Sequence, residues 1–180
     1  KRALPQLDLF QTYGMTEMSP LMTMLPPSLH SGLGRARGKV RSAGRACLCN
    51  QIRIVDATGH ELPRGEVGEI AVRGPGVMLG YWNQPEATRQ TVRDGWLHTG
   101  DAGRMDDEGF VFVVDRLKDM IISGGENVYC AEVEQALAQH PAVAACAVIG
   151  VPDEVWGERV HAVVVLKFGH EATESALRQH

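Results

Sequence analysis

No stretch of the 180-residue sequence approaches the roughly 20 consecutive apolar residues that cross a bilayer. It also shows no signal peptide, so the expected compartment is the cytoplasm. The four cysteines, Cys47, Cys49, Cys130 and Cys146, make no CxxC pair, and the seven histidines are scattered away from them. That argues against a zinc site and against a disulfide framework, and leaves reduced, structural thiols. Cys130 lies near a predicted helix start, where a thiol can be acidified, and a reactive role for it is the minor reading. There is no basic block to bind nucleic acid, and the formal net charge is -4. The short cluster Arg35, Arg37, Lys39, Arg41 reads as a solvated loop face. The GxxxxGK[ST] phosphate loop, internal repeats and low-complexity segments are all missing.

What is present suits one mid-sized domain or two small ones, with 44% hydrophobic residues for a core. Residues 7–12 form an apolar run that predicts a strand, and "YGMTE" turns directly after it, a turn made possible by Gly14. Residues 26–44, rich in Pro, Gly, Ser and Arg, predict a long surface loop. "QIRIVD" alternates with Ile52 and Ile54 on one face. A turn at 56–59 leads to a returning strand whose inner face carries Ile70 and Val72. Pro85 suits the first turn of a helix, which Asp94-Gly95 is expected to stop. "DDEG" at 106–109 reads as a turn rather than a metal site, because its residues are turn formers, and a strand over 110–114 follows. Beyond residue 120 the pattern changes to β-α-β-β and a helix start. Its helix begins directly after Gly124-Gly125, with Tyr129, Val133, Ala136 and Leu137 on one face and an end at His140-Pro141. "VAACAVIGV" predicts a buried strand, "PDEVWGER" a loop and "VHAVVVLK" another strand.

Taken one at a time, the chemistry-bearing segments are weak signals. Thr16 reads equally as a helix cap and Glu17 as a surface acid. "HTGD" reads as a turn. "SGGEN" suits an anion-binding nest or a plain tight turn. From the residues alone the chain is a two-part α/β protein with polar turns after strands, and nucleotide binding stays open.

Their order is more specific. "YGMTE", "GEIAVRGPGVMLGYWNQPEAT", "DGWLHTGD", "DRLKDMIISGGENVYCAEVE" and "AVIGVPDEVWGE" together resemble the adenylate-forming superfamily of acyl-CoA synthetases and AMP-dependent ligases. The resemblance covers nearly the whole chain. It implies an α+β or α/β fold in which residues 1–117 are the β-rich, barrel-like back part of a large adenylating domain. Residues 118–180 are then a hinge and a truncated small α+β domain.

The resemblance also implies roles. Tyr13 lies against adenine, with Gly14 in the same nucleotide-binding turn. Thr16 binds the α-phosphate, and Glu17 holds Mg²⁺, a cation that prefers hard oxygen ligands and bridges phosphates. Asp101 takes both ribose hydroxyls, a contact that suits the two oxygens of a carboxylate. Arg116 reaches ribose and phosphate with its fork of donors. Lys118 is the hinge, where a few backbone torsions absorb a domain rotation. Gly124 and Gly125 line the pantetheine path and let a ligand pass close to the backbone.

The implied reaction joins a fatty or other hydrophobic carboxylic acid to AMP at the expense of ATP, then to coenzyme A. Met15 and Met18 are small evidence for an apolar acid pocket. The alternatives are an adenylation domain that loads a carrier protein and a non-catalytic nucleotide-binding remnant. Both ends of the sequence look cut. The phosphate-gripping loop is expected upstream of Lys1 and a catalytic lysine beyond His180. The isolated chain is therefore expected to be inactive, and its cut surfaces are expected to favour a homo-oligomer. Cys47 and Cys130 stand where many relatives carry proline.

Overall fold

The computed structural model describes residues 6–47 and 49–180; Lys1 lies outside them. They divide into two compact units, the break falling between Val113 and Val114. The architecture is mixed α+β, with three antiparallel sheets and short helices.

In the first unit, β1 (Gln11–Tyr13), β2 (Thr23–Leu25) and β3 (Arg45–Ala46) form one sheet. The strand expected over 7–12 starts only at Gln11, opposite Leu25. Before it, Leu7, Leu9 and Phe10 are 46%, 47% and 58% exposed, so their apolar character buries little. The second sheet contains β4 (Gln51–Val55), β5 (Gly68–Arg73), β6 (Val92–Arg93), β7 (Trp96–Met105) and the start of β8 (Val111–Arg116), a strand that runs on past the break at Val113. Its order is β4-β5-β7-β6, with β8 also on β7.

The predicted alternation along β5 holds: Ile70 and Val72 share a face and both are fully buried. Val72 packs with Met18, Met22 and Leu97, and Ile70 with Ile54, Met105 and Val111. Each such side chain stabilises the fold by about 1.5–3 kcal/mol on burial. The β4–β5 turn is braced by Asp56, whose carboxylate accepts the N–H groups of Thr58 and His60.

Further expectations change in this unit. Helix α2 (Pro85–Thr91) begins on Pro85 as expected but ends before Asp94-Gly95. That pair forms the two-residue turn of the β6–β7 hairpin, with φ of 49° and 77°. Two left-handed residues in a hairpin turn match the twist of the flanking strands. Residues 26–44 are not an open loop. They hold short helical turns at Pro27–His30, α1 (Gly32–Ala36) and Lys39–Arg41.

Nor is the basic cluster uniformly solvated. Lys39 is buried, with its Nζ 2.6 Å from Asp106 and 2.8 Å from Glu108. It also lies 4.8 Å from the centre of the Phe110 ring. Arg37 reaches Glu108 from outside at 2.6 Å. "DDEG" is the turn expected, closed by Gly109 N–H on the Asp106 carbonyl, and its acids serve Lys39. Those two hydrogen bonds raise the Lys39 pKa, and the bond from Lys39 lowers that of Glu108. Burial pushes Asp106 up, but hydrogen bonds from Lys39 and the Phe110 N–H outweigh it, and its pKa is lowered.

The second unit is a sheet of order β10-β9-β12-β11 with a helix packed on β11. Its elements are β9 (Ile121–Ser123), β10 (Glu126–Val128), α3 (Cys130–Gln139), β11 (Val143–Asp153), β12 (Gly157–Leu166) and α4 (Glu174–Arg178). Here the helix does not follow Gly124-Gly125 directly. Those glycines turn β9 into β10, and α3 starts after it. On α3, Leu137 is buried and Tyr129 and Val133 flank it half-buried, but Ala136 is exposed and Cys130 takes the inner position. Strand β11 is not buried throughout. Val143 and Val148 face the core, while Ile149 on β11 and Val163 and Val165 on β12 are more than half exposed. "PDEVWGER" is mostly strand. Only a short turn separates β11 from β12, held by Asp153 accepting the Val155 and Trp156 N–H groups. Among the described residues no helix is long and apolar enough to cross a membrane.

Candidate functional site

The first unit gathers five of the site residues into two backbone features. The first is the "YGMTE" turn. Gly14 leaves β1 where the chain passes against itself: a Cβ there would lie 1.5 Å from the Pro20 carbonyl oxygen. The Met22 N–H to Tyr13 carbonyl bond, 3.0 Å, closes this crossing. A single helical turn, Thr16–Met18, follows, with Met15 as its N-cap and no side-chain cap. Thr16 is therefore not the cap, and it is exposed. Glu17 is half-buried and accepts the Tyr81 hydroxyl at 2.8 Å, so it is not a plain surface acid. Met18 belongs to the core, 2% exposed, while Met15 is half-buried beside it.

The second feature is "HTGD". It is not a turn between elements but a bulge inside β7. Glu69 pairs with Ala102 and Ala71 with His98, so two steps on β5 face four on β7. The surplus residues loop outward through Gly100, whose φ is +71°. Left-handed backbone inside a strand favours glycine over any residue with a Cβ. Polar contacts fix the loop. The Glu69 carboxylate holds His98 Nδ1 at 2.7 Å and accepts the Gly100 N–H at 3.0 Å. Thr99 donates its hydroxyl to the Ile70 carbonyl and accepts the Asp101 N–H. Asp101 is 8% exposed, and the Tyr13 hydroxyl donates to it at 2.5 Å. The two features, 88 residues apart in sequence, thus meet through this bond. Glu69, His98 and Tyr81 are not singled out by the sequence, although Glu69 and Tyr81 lie inside "GEIAVRGPGVMLGYWNQPEAT" and His98 inside "DGWLHTGD".

Among the described residues no group of three or more His, Cys, Asp or Glu side chains could hold a metal. A cation at Glu17 would take one protein carboxylate and complete its shell from phosphate and water. That donor set fits Mg²⁺, which commonly binds through one or two carboxylates, substrate phosphates and retained waters.

The remaining predicted residues lie in the second unit. Arg116 closes β8 and is exposed, its N–H bonded to the Asp115 carboxylate. Lys118 is exposed at the centre of the single turn Leu117–Asp119. Gly124 and Gly125 have φ of 60° and 86°, and the Trp156 ring lies over Gly124, 2.7 Å from where a Cβ would stand. The charges around Lys118 have local work as well. Asp115 accepts the Ala131 N–H at 2.9 Å and so caps the first turn of α3. A groove of about 400 Å³ borders Lys118, Cys130, Glu134 and Glu158. Its carboxylates brace the sheet: Glu134 accepts the Val148 N–H and Glu158 the Ile122 N–H. Cys130 donates its thiol to the Asp119 carbonyl, and burial, with nearby carboxylates, raises its pKa. The helix start does not acidify it.

Comparison with known proteins identifies the family. The AMP-binding enzyme family matches residues 1–82, and the AMP-binding enzyme C-terminal domain matches residues 132–180. Feruloyl-CoA synthase of an Amycolatopsis species is 51% identical over 159 residues, 88% of this chain and 31% of that protein. A medium/long-chain-fatty-acid–CoA ligase of Mycobacterium tuberculosis, FadD8, is 46% identical over 167 residues, 93% of this chain and 28% of that one. The o-succinylbenzoate CoA synthetase of Bacillus subtilis, solved with an acyl-adenylate intermediate, superposes with a TM-score of 0.79. Its identity is 42%, over 94% of this chain and 33% of that one. The chain thus spans about a third of the length of these relatives. With both family regions matched in order around a shared fold, the chain belongs to the adenylate-forming superfamily of AMP-binding enzymes.

Proposed function

We propose that the chain is part of an AMP-forming acid–thiol ligase that activates a fatty or other hydrophobic carboxylic acid for transfer to coenzyme A. The single observation that carries this is the Tyr13–Asp101 bond, which sets an aromatic ring and a carboxylate side by side, with the exposed Thr16 and the half-buried Glu17 following Tyr13 in the same turn. An adenosine needs this pair: a ring face for its base and paired acceptor oxygens for its ribose diol.

In this reading Tyr13 and Gly14 border the adenine, Asp101 takes the ribose hydroxyls, and Thr16 donates to the α-phosphate. Glu17 holds Mg²⁺, which when bound neutralises charge on the phosphates. The acid's carboxylate attacks the α-phosphorus, the bond to the β-phosphate oxygen breaks, and pyrophosphate leaves. The mixed anhydride then has AMP as a good leaving group. The thiol of coenzyme A loses its proton, attacks the acyl carbon and expels AMP. Arg116 contributes a guanidinium to ribose and phosphate. Residues 118–180 turn about Lys118 between the two steps, and Gly124 and Gly125 border the pantetheine. Relatives named for feruloyl and fatty-acyl substrates support a hydrophobic acid.

The test uses the full-length protein with ATP, Mg²⁺ and a panel of aryl and fatty acids. It follows pyrophosphate release and thioester formation on coenzyme A or on a carrier protein. Acid-dependent pyrophosphate with a CoA thioester is expected. Thioester on the carrier protein alone would overturn the acceptor, and no acid-dependent pyrophosphate would overturn the reaction. The 180 residues alone are expected to release pyrophosphate only at background.

A further inference from the structure

We propose that Tyr81 is a positioning residue for Glu17: its phenol fixes one carboxylate oxygen so that the other faces a divalent cation. This rests on the reading of Glu17 as the metal ligand. The Tyr81 hydroxyl donates to Glu17 Oε1 at 2.8 Å, between residues 64 apart in sequence. Tyr81 is itself held, its N–H bonded at 2.9 Å to the Thr88 hydroxyl, which donates in turn to the Gln84 carbonyl at the start of α2.

The backbone of the same loop grips the Glu17 turn from both ends. The Met78 N–H donates to the Glu17 carbonyl at 2.8 Å, and the Ser19 hydroxyl to the Gly76 carbonyl at 3.0 Å. A glutamate has three side-chain torsions and on a surface samples many of them. Here its main chain is pinned by Met78 and one oxygen by Tyr81, and the second oxygen is left to act as a ligand of fixed direction. Ligand groups set in advance by such neighbours bind metal more tightly than free ones.

The test measures Mn²⁺, as a paramagnetic stand-in for Mg²⁺, binding to the ATP-loaded full-length protein. The variants are Tyr81→Phe, Glu17→Gln and the double variant. AMP affinity in chelator and the thermal midpoint are recorded for each. Glu17→Gln should weaken Mn²⁺ tenfold or more, and Tyr81→Phe about five- to tenfold, with metal-free AMP affinity within about twofold of the parent. In the Glu17→Gln background, Tyr81→Phe should add nothing, because its effect runs through the missing carboxylate. Any loss of stability common to both backgrounds cancels in that comparison. Parental Mn²⁺ affinity in Tyr81→Phe, while Glu17→Gln loses it, would overturn the role of Tyr81 and leave Glu17 standing. A full additional loss in the double variant, or an equal loss of metal-free AMP binding, would also overturn it. Parental Mn²⁺ affinity in Glu17→Gln would remove the metal reading of Glu17, and this inference with it.

Discussion

The Tyr13 hydroxyl lies 2.5 Å from Asp101 Oδ2 and so ties the turn after β1 to the bulge in β7. The bond holds the ring and the carboxylate in one orientation before any ligand arrives. Tyr13→Phe keeps the ring but removes this bond to Asp101. AMP affinity is expected to fall about three- to tenfold, the net worth of about one ordinary hydrogen bond. Equilibrium titration of the full-length variant checks this, and an unchanged affinity would show that the bond does not organise the site.

Gly14→Ala should be among the more damaging single changes in the first unit. The new methyl would sit 1.5 Å from the Pro20 carbonyl oxygen, which is backbone and can yield only if the crossing opens. A loss of about 3 kcal/mol is expected in urea unfolding. Gly100→Ala meets no neighbour but must hold φ at +71°, and should cost about 1 kcal/mol. Equal costs at the two positions would contradict the distinction between close approach and torsional strain.

The Lys39 cluster predicts a pH dependence of stability. Asp106 and Glu108 have folded-state pKa values below their unfolded ones, which lie near 3.9 and 4.3. Their contribution is present above those values and is lost as pH falls through the folded ones, below about pH 4. Lys39 is raised, so its contribution is full below about 10.4 and is lost only as pH climbs through its folded value. Lys39→Met should lower the melting temperature at pH 7, and the gap to the parent should narrow towards pH 2. A gap that is constant with pH would show that the charges do not contribute.

Much of this was legible in the sequence where one local rule decided the outcome. The alternation at Ile52, Ile54, Ile70 and Val72 fixed the β4–β5 hairpin, and Pro85 marked the start of α2. It failed where distant residues decided. Lys39 looks like its basic neighbours until the Asp106–Gly109 turn folds back onto it. "HTGD" reads as a turn because its residues are turn formers, and only the offset of β7 against β5 makes it a bulge. Gly124-Gly125 gave a turn, but the strand after it depends on pairing with Ile121 and Ile122, which residues 126–128 do not announce. At the site, Tyr13 and Asp101 were each picked out by motif, yet the bond between them was not foreseeable from spacing. Tyr81 stood unremarked because a tyrosine within a glycine-rich stretch signals nothing until its partner is known.

The thiols should differ in reactivity in the native state. Cys49 is exposed, while Cys130 is buried, donates to the Asp119 carbonyl and has a raised pKa. Because the thiolate is the reacting form, iodoacetamide at pH 7.5 should label Cys49 first and Cys130 last, as peptide mass mapping over time would report. Early labelling of Cys130 would contradict its placement in the α3 core.

Calorimetric titration of AMP into the full-length protein and its Asp101→Ala variant tests the central claim most directly. If the bulge carboxylate holds the ribose, the variant should bind at least tenfold more weakly while its melting temperature stays close to the parent's. Parental affinity in Asp101→Ala would contradict the assignment of this site.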